Sequence, residues 1–445
     1  MALQLLRSGS LFRRLLLVLV LVAVLSVRAR ADDQRWIIRS TQGIKAVQTV
    51  CDLITCNLIR GLGDPLQQTF LIVTSNPLAA DLPGLLGTLT QQLGILDIEP
   101  DRTLGLVGPP TGAADAVNTL AVLDRTPVVF YGNAVWNGYA AQPAAIRVRA
   151  PEARMAFGVA GTGTVALIDT GVDPDHPALR GVLVPGYDFT RNQAGMAPET
   201  ADLNQSTAAV VDGSPTPVSP SNAAILDEST AAVMDGNQAF GHGTMVAGIV
   251  HLVAPSANLM PLKAFQANGQ GYLSDVIRAI YFAVNSGACV INMSFSTPTY
   301  SPAFRASLDH AGSQNLISVA AAGNDGQQTI VYPAGFTQDV MGVASTNLLD
   351  QRSSFSNYGS QIVWVAAPGE NIVSTYPFST YGAGSGTSFS APFVSGTAAL
   401  LLSLQRSLNQ STAAAAIANA QALSPDLGNG RLDAYKAVSS IASAR

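Results

Sequence analysis

The sequence predicts an α/β protein in three layers, a mostly parallel sheet with helices on both faces, preceded by a smaller α+β unit. Three observations predict it. Beyond residue 160, apolar runs of strand length (164–169, 259–265, 289–293 and 316–321) alternate with helix-length segments such as 274–284 and 396–404. That alternation implies parallel strands covered by helices on both faces. Residues 32–106 have their own pattern of strands and helices. The 445-residue chain is 48% hydrophobic and 12% charged, enough for a large core and too apolar for general disorder.

The first 31 residues stand apart. Arg7, Arg13 and Arg14 precede a 13-residue, almost wholly apolar run over 15–27, followed by Ala29-Arg30-Ala31. A basic start, a short apolar middle and small residues before a cleavage point describe a secretory signal peptide. The run is short for a spanning helix, which needs roughly 20 residues. Arg13-Arg14 fits a twin-arginine export signal poorly. The expected destination is outside the cell or in the periplasm, with no membrane attachment after signal cleavage. Five of the 24 basic residues and none of the 29 acidic ones lie in this segment, so the remainder carries a net −10. With no run of Lys or Arg, nucleic acid is excluded as an expected partner.

In residues 32–106, stretch 35–39 is strand-like and 44–55 has helical spacing. Stretches 57–62 and 69–74 read as strands around a Gly-Asp-Pro turn, 83–93 as a helix with Pro83 in its first turn, and 95–98 as a last strand. The order strand-helix-strand-strand-helix-strand is that of a ferredoxin-like fold. Cys51 and Cys56 are candidates for pairing after export, and Cys289, in an apolar stretch, reads as a buried free thiol. No cysteine set has zinc spacing.

Residues 107–134 read as a linker containing the maturation region, and 135–445 as the main domain. The stretch 190–239 interrupts it. It is rich in Ala, Ser, Thr and Pro, and 206–213 returns in near-copy as 229–236. Two copies are too few for a solenoid. A duplicated surface insertion with no part in the chemistry is expected.

Three polar residues sit at element junctions. Asp169 ends the strand 164–169. His242 lies between glycines before an apolar helix at 245–253. Ser388 follows Gly386-Thr387 and precedes a long apolar helix in which Pro392 is expected to fall in the first turn. Parallel sheets gather ligands at the carboxyl ends of their strands, so all three should reach one edge. The chemistry needs each type. A serine hydroxyl needs a base to become a nucleophile. Imidazole can serve near neutral pH and return the proton to a leaving amine. A carboxylate holds the ring in the right tautomer. Asn324, after strand 316–322, can aim its amide at a developing oxyanion, beside the unpaired N–H groups at the start of the Ser388 helix. Singly these residues are ordinary turn and cap residues. Their joint order, Asp, His, Asn, Ser, is what points to hydrolysis.

Asp169-Thr170-Gly171-Val172-Asp173, Gly241-His242-Gly243-Thr244-Met245-Val246-Ala247-Gly248 and Gly386-Thr387-Ser388-Phe389-Ser390-Ala391-Pro392 resemble the three active-site motifs of subtilisin-like serine proteases. Ala321-Ala322-Gly323-Asn324 resembles that family's oxyanion segment. The resemblance spans about residues 135–445. It implies a subtilisin-like fold and a secreted serine endopeptidase with Asp169, His242, Ser388 and Asn324 as catalytic groups. Polypeptides are the implied substrates. It also implies that 32–106 is a pro-domain serving as intramolecular inhibitor and folding aid. Substrate is implied to bind as an added strand between Gly271-Tyr272-Leu273 and Ser294-Phe295-Ser296, with Val331 at a pocket floor. Ser296 and Thr297 stand where relatives often have glycine, which narrows the pocket towards small or medium apolar side chains. The chemistry requires no cofactor. Structural calcium is left unassigned, because Ala178 follows His176-Pro177 where many relatives carry an acidic ligand. A narrow processing protease, and a catalytically silent binding protein on the same fold, are the alternatives. A Gly-x-Ser-x-Gly esterase fails, since Ser390 stands two residues after Ser388.

Overall fold

A computed structural model describes residues 33–106, 124–203, 223–225 and 239–444. The signal segment, most of the linker and both copies of the near-repeat lie outside the described residues. The chain divides into two compact units, one reaching to Gly61 and resuming over Leu66–Pro100, the other made of Leu62–Pro65 and everything from Asp101.

The first unit is a four-stranded antiparallel sheet in the order Leu58–Gly61, Thr69–Thr74, Gln34–Ser40, Ile95–Pro100. The helix Ile44–Ile54 buries Val47, Val50, Cys51 and Ile54. That i, i+3, i+4, i+7 stripe packs on Trp36, Ile38, Phe70 and Ile72 from alternate positions of the strands. Cys51 at this helix's end is disulfide-bonded to Cys56. The second expected helix is broken. A 3₁₀ turn Pro77–Asp81 leads into Leu82–Leu86, and a further turn of helix covers Leu89–Gln92. Gly87, at φ 43° and ψ −120°, a backbone conformation open to glycine alone, closes the first piece.

The second unit is built on an eight-stranded sheet in the order Gln193–Gly195, Gly186–Asp188, Asn258–Lys263, Thr164–Asp169, Val290–Met293, Ile317–Ala321, Met341–Thr346, Val365–Pro368. Every pairing is parallel except that between the first two strands. The helices His242–Val253 and Thr387–Leu404 pack against each other and cover one face, while Leu273–Asn285 and Pro302–Ser313 pack together on the other. The central strands are buried at nearly every position, which is why they read as unbroken apolar runs. Thr387–Leu404 is long and apolar enough to cross a membrane, yet 89% of it is buried inside the fold.

Two expectations about the sheet's surroundings need correcting. Pro392 is not in the first turn but the sixth residue of the helix Thr387–Leu404. Its missing N–H would have served the carbonyl of Ser388; the Ser294 hydroxyl donates to that carbonyl instead, at 2.8 Å. Cys289 is free but only half-buried, because the strand starts one residue later, at Val290.

Lys263 ties the sheet edge to the loops above it. Its side chain is fully buried, and Nζ donates to Thr170 O (2.6 Å), Phe265 O (2.9 Å) and the Asp202 carboxylate (2.6 Å). Without Lys263, Asp202 keeps Arg191 at 2.5 Å and the Ala267 N–H at 2.6 Å, but the buried Thr170 carbonyl loses its Nζ donor. Lys263→Met should therefore lower the unfolding free energy by about 1–3 kcal/mol. Denaturant titration of the Ser388→Ala protein with and without the change measures it, and a loss within error of zero would contradict the assignment.

Candidate active site

Asp169 is the last residue of Thr164–Asp169, and His242 opens the helix His242–Val253 rather than preceding it by three residues as expected. The reason is local packing. A Cβ on Gly243 would stand 2.0 Å from the carbonyl oxygen of Gly171 and 3.1 Å from Asp169 Oδ1. Only glycine lets the first helical turn press so closely on the loop after Asp169, and that approach brings the imidazole onto the carboxylate. His242 Nδ1 lies 2.7 Å from Asp169 Oδ1, with Asp169 almost completely buried. Nδ1 therefore carries the proton and donates it, which leaves Nε2 with an unprotonated lone pair. Nε2 is buried and has no partner among the described residues.

Asp169 Oδ1 also accepts from the Thr170 backbone N–H at 2.8 Å. The Thr170 hydroxyl in turn accepts from the Gly243 N–H at 3.0 Å. Burial by itself would push the His242 ring towards the neutral form. The Asp169 charge and hydrogen bond, with Glu199 adding to them, outweigh burial and raise the ring above its ordinary 6.5.

Ser388 is the second residue of the helix Thr387–Leu404, so no carbonyl one turn back serves its backbone N–H. Its Oγ donates to Ser294 O at 3.0 Å, and among the described residues no hydrogen bond joins it to His242. The Phe389 ring lies 5.5 Å from the His242 ring, centroid to centroid. Asn324 follows Gly323 at the end of Ile317–Ala321. Its Oδ1 accepts from the Thr387 N–H (2.9 Å) and hydroxyl (2.8 Å). This turns Nδ2 over the Gly386-Thr387-Ser388 turn, where a Cβ on Gly386 would lie 3.2 Å from it.

The expected substrate residues divide. Gln270–Tyr272 is a strand, and Thr103–Gly105, from the same compact unit, pairs with it antiparallel in the register Gly271 to Leu104. Leu106 N donates to Gly269 O at 2.7 Å, and Leu273 N to Arg102 O at 2.9 Å. Ser296 and Val331 are nearly buried, at 9% and 3% exposure. Next to them Thr297 exchanges two 2.8 Å backbone hydrogen bonds with Tyr332. The Phe295 side chain points the other way. It is fully buried between Phe265 and Phe304, because alternate residues of an extended segment face opposite sides. Phe295 can meet a ligand only through its backbone.

One residue of the site escaped the sequence reading. Glu199, in the stretch expected to stay out of the chemistry, is fully buried against Thr170, Gly241 and Thr244. A lone Glu in a polar, low-complexity stretch gives no signal of burial. Ala178, at the position weighed for calcium, is fully buried and offers no side-chain oxygen, while His176 nearby bonds Thr380 O at 2.9 Å.

With this geometry in place, comparison with known proteins decides the family. The model of the subtilase family of peptidases matches residues 161–436. The chain is a subtilase. It is 35% identical to thermitase of Thermoactinomyces vulgaris over 66% of this chain and 94% of thermitase. Over 54% of its length it is 34% identical to a thermophilic serine proteinase of Bacillus sp. (strain AK1) and 35% identical to subtilisin E of Bacillus subtilis (strain 168). Those matches span about half of each relative, 52% and 55% respectively. The subtilase is thus a serine endopeptidase with a mostly parallel α/β fold.

The proton affinity of its imidazole is open to direct measurement. Asp169→Asn removes the charge that most raises His242, so the ring's pKa should fall. Histidine NMR titration of the Ser388→Ala protein, with and without Asp169→Asn, reads the change. An unshifted ring would break the pairing described above.

Proposed function

We propose that this subtilase is a secreted endopeptidase of broad substrate range in which Ser388 is the nucleophile, His242 the general base and acid, Asp169 the orienting carboxylate and Asn324 an oxyanion donor. The observation that carries the reading is the 2.7 Å bond from His242 Nδ1 to Asp169, which leaves Nε2 buried, unprotonated and unclaimed at the sheet edge where Ser388 begins its helix. A rotation about the Ser388 Cα–Cβ bond takes Oγ from Ser294 O towards Nε2. Such bonds are often loose or absent until substrate binds.

The steps follow from these groups. Ser388 Oγ attacks the scissile carbonyl carbon as its proton passes to His242 Nε2, and the imidazolium is held by Asp169. The oxyanion is met by Asn324 Nδ2 and the Ser388 backbone N–H. Loss of such a side-chain donor costs roughly 10²–10³ in turnover, a magnitude that comes from a subtilisin. Collapse of the tetrahedral adduct breaks the C–N bond, and His242 returns the proton to the departing amine. Water then attacks the acyl-enzyme by the same route, restoring Ser388. These side chains suffice, with no cofactor.

Substrate is proposed to lie where Thr103–Gly105 lies, as a strand added to Gln270–Tyr272. The stretch 32–106, read as a pro-domain, ends in Thr103–Gly105, so this pairing supports an inhibitory and folding role for that stretch. A parallel sheet assembled from distant segments folds slowly, which gives such an aid a physical purpose. Secretion is supported by the first 31 residues and by the Cys51–Cys56 disulfide, a bond that persists in oxidising compartments.

A fluorophosphonate probe should label the mature wild-type protein and leave Ser388→Ala unlabelled. The variant should also keep its N-terminal unit, as N-terminal sequencing would reveal, and fail to digest casein. A wild type that remains unlabelled once its N-terminal unit is gone would end the catalytic reading, and casein left intact by a labelled enzyme would favour a narrow processing role. Val331→Gly should raise kcat/KM for peptides with a large apolar residue before the cut by about 10-fold or more relative to alanine, the scale of a few methylene groups in a pocket. An unchanged ratio would remove Val331 from the pocket.

A further inference from the structure

Glu199 lies beyond the catalytic groups proposed above, yet its carboxyl joins the two segments that carry Asp169 and His242. Its Oε1 accepts from the Gly241 N–H at 2.8 Å and lies against the Thr170 hydroxyl. Its Oε2 accepts from the Thr244 hydroxyl at 2.6 Å and the Thr244 N–H at 3.3 Å. Gly241 and Thr244 flank His242 at the start of its helix, and Thr170 follows Asp169. The Thr244 hydroxyl has its own acceptor role filled by the Asp173 N–H at 2.9 Å, so its single proton belongs to Glu199.

Thr170 differs. Its oxygen accepts from the Gly243 N–H, so its single proton has two acceptors in reach: Glu199 Oε1, and Asp169 Oδ1 at 3.3 Å. When Glu199 is ionised, the Thr170 proton goes to it. When Glu199 is protonated, its own O–H donates to Thr170, and the Thr170 proton turns to Asp169 Oδ1, the oxygen that holds His242 Nδ1. An extra donor there weakens the hold of Asp169 on the ring. Loss of the Glu199 charge acts in the same direction, since that charge is among those that raise His242.

We propose that Glu199 is a positioning residue of the triad, which clamps the His242 helix to the Asp169 loop and, through the Thr170 hydroxyl, sets the proton affinity of His242. The proposal rests on the catalytic reading of Asp169, His242 and Ser388. The groups around Glu199 make its ionisation respond near neutrality. Burial pushes its carboxyl up, the Thr170 and Thr244 hydrogen bonds and the Lys263 charge push it down, and the Asp169 charge pushes it up again, to about 7. The other titratable and charged groups on these elements are Asp202, bonded to Lys263 and Arg191; Asp173, whose carboxylate accepts from the Phe378 N–H; and the buried Tyr376 hydroxyl, which donates to Phe240 O. Ionised Glu199 thus raises His242, and proton uptake by Glu199 as pH falls through about 7 lowers it. The enzyme's base thereby stays deprotonated further into acid than a fixed Glu199 charge would allow.

The test is the pH dependence of fluorophosphonate labelling in the secreted protein, wild type against Glu199→Gln, with the labelled fraction at completion counting folded sites. With a neutral side chain at 199, the acid limb should move down by about half a unit or more with the labelled fraction unchanged. An acid limb at the wild-type position with full labelling would overturn the proposal, since a purely structural clamp would change only the labelled fraction. If Glu199→Gln does not fold, His242 is titrated by NMR in the Ser388→Ala protein with Glu199 intact. Two inflections in the ring signal, one near 7, support the coupling; a single inflection overturns it. A wild type that takes no label overturns the catalytic reading itself, and this inference with it.

Discussion

The Asp169 carboxylate is buried at the rim of an apolar sheet, and most of what surrounds it is arranged to make that burial tolerable. An ion removed from water costs several kcal/mol unless hydrogen bonds and opposite charge replace the solvent. Here the replacements come from different parts of the chain. His242 Nδ1 and the Thr170 N–H donate to Oδ1, the Thr170 hydroxyl ties in the Gly243 N–H, and Lys263 is drawn beneath by the Thr170 carbonyl. Glu199 and Asp202, the first and last residues of a four-residue 3₁₀ turn, then satisfy the outer donors. Such a network is costly when partly formed and rigid when complete, so it fixes the loops that carry it.

The same accounting of backbone groups explains the Ser388 side of the site. Pro392 inside the helix Thr387–Leu404 deprives the Ser388 carbonyl of its usual donor, and Ser294 supplies one from the neighbouring strand's end. Ser388 Oγ in turn donates to the Ser294 carbonyl. The pair of bonds locks the Ser388 helix to the segment proposed to line the substrate. A residue that looks like a helix breaker thus serves to join the Ser388 helix to the end of the Val290–Met293 strand. Asn324 plays a comparable part, since its carbonyl end is spent on Thr387 and its amide end is left facing the turn.

Much of this was legible along the chain, for reasons specific to each element. The central strands bury both faces, so 164–169 and 316–321 read as apolar runs that need no alternation. The helix Ile44–Ile54 has a stripe that only a 3.6-residue period produces. Other features depended on partners the sequence does not display. The 83–93 helix split at Gly87, whose positive φ outweighed an otherwise helical pattern. The Cys289 side chain is half-buried because the chain enters the sheet one residue after it. Phe295 looked like a pocket residue and is a core residue, since its neighbours Phe265 and Phe304 come from elements distant in sequence.

By itself, the sequence determined the fold class, the junction residues Asp169, His242, Asn324 and Ser388, and the family resemblance that the subtilase match then bore out. These are properties of local period and of short motifs, which survive without knowledge of the surroundings. Tertiary structure alone decided that Glu199 joins the site, that Asp169 Oδ1 rather than Oδ2 holds the ring, and that Pro392 and Ser294 share one backbone problem. Each of these is set by which polar atom lacks water and which distant donor reaches it. Hydrogen-bond satisfaction in a buried place is a property of the assembled neighbourhood, and no stretch of the polymer carries it alone.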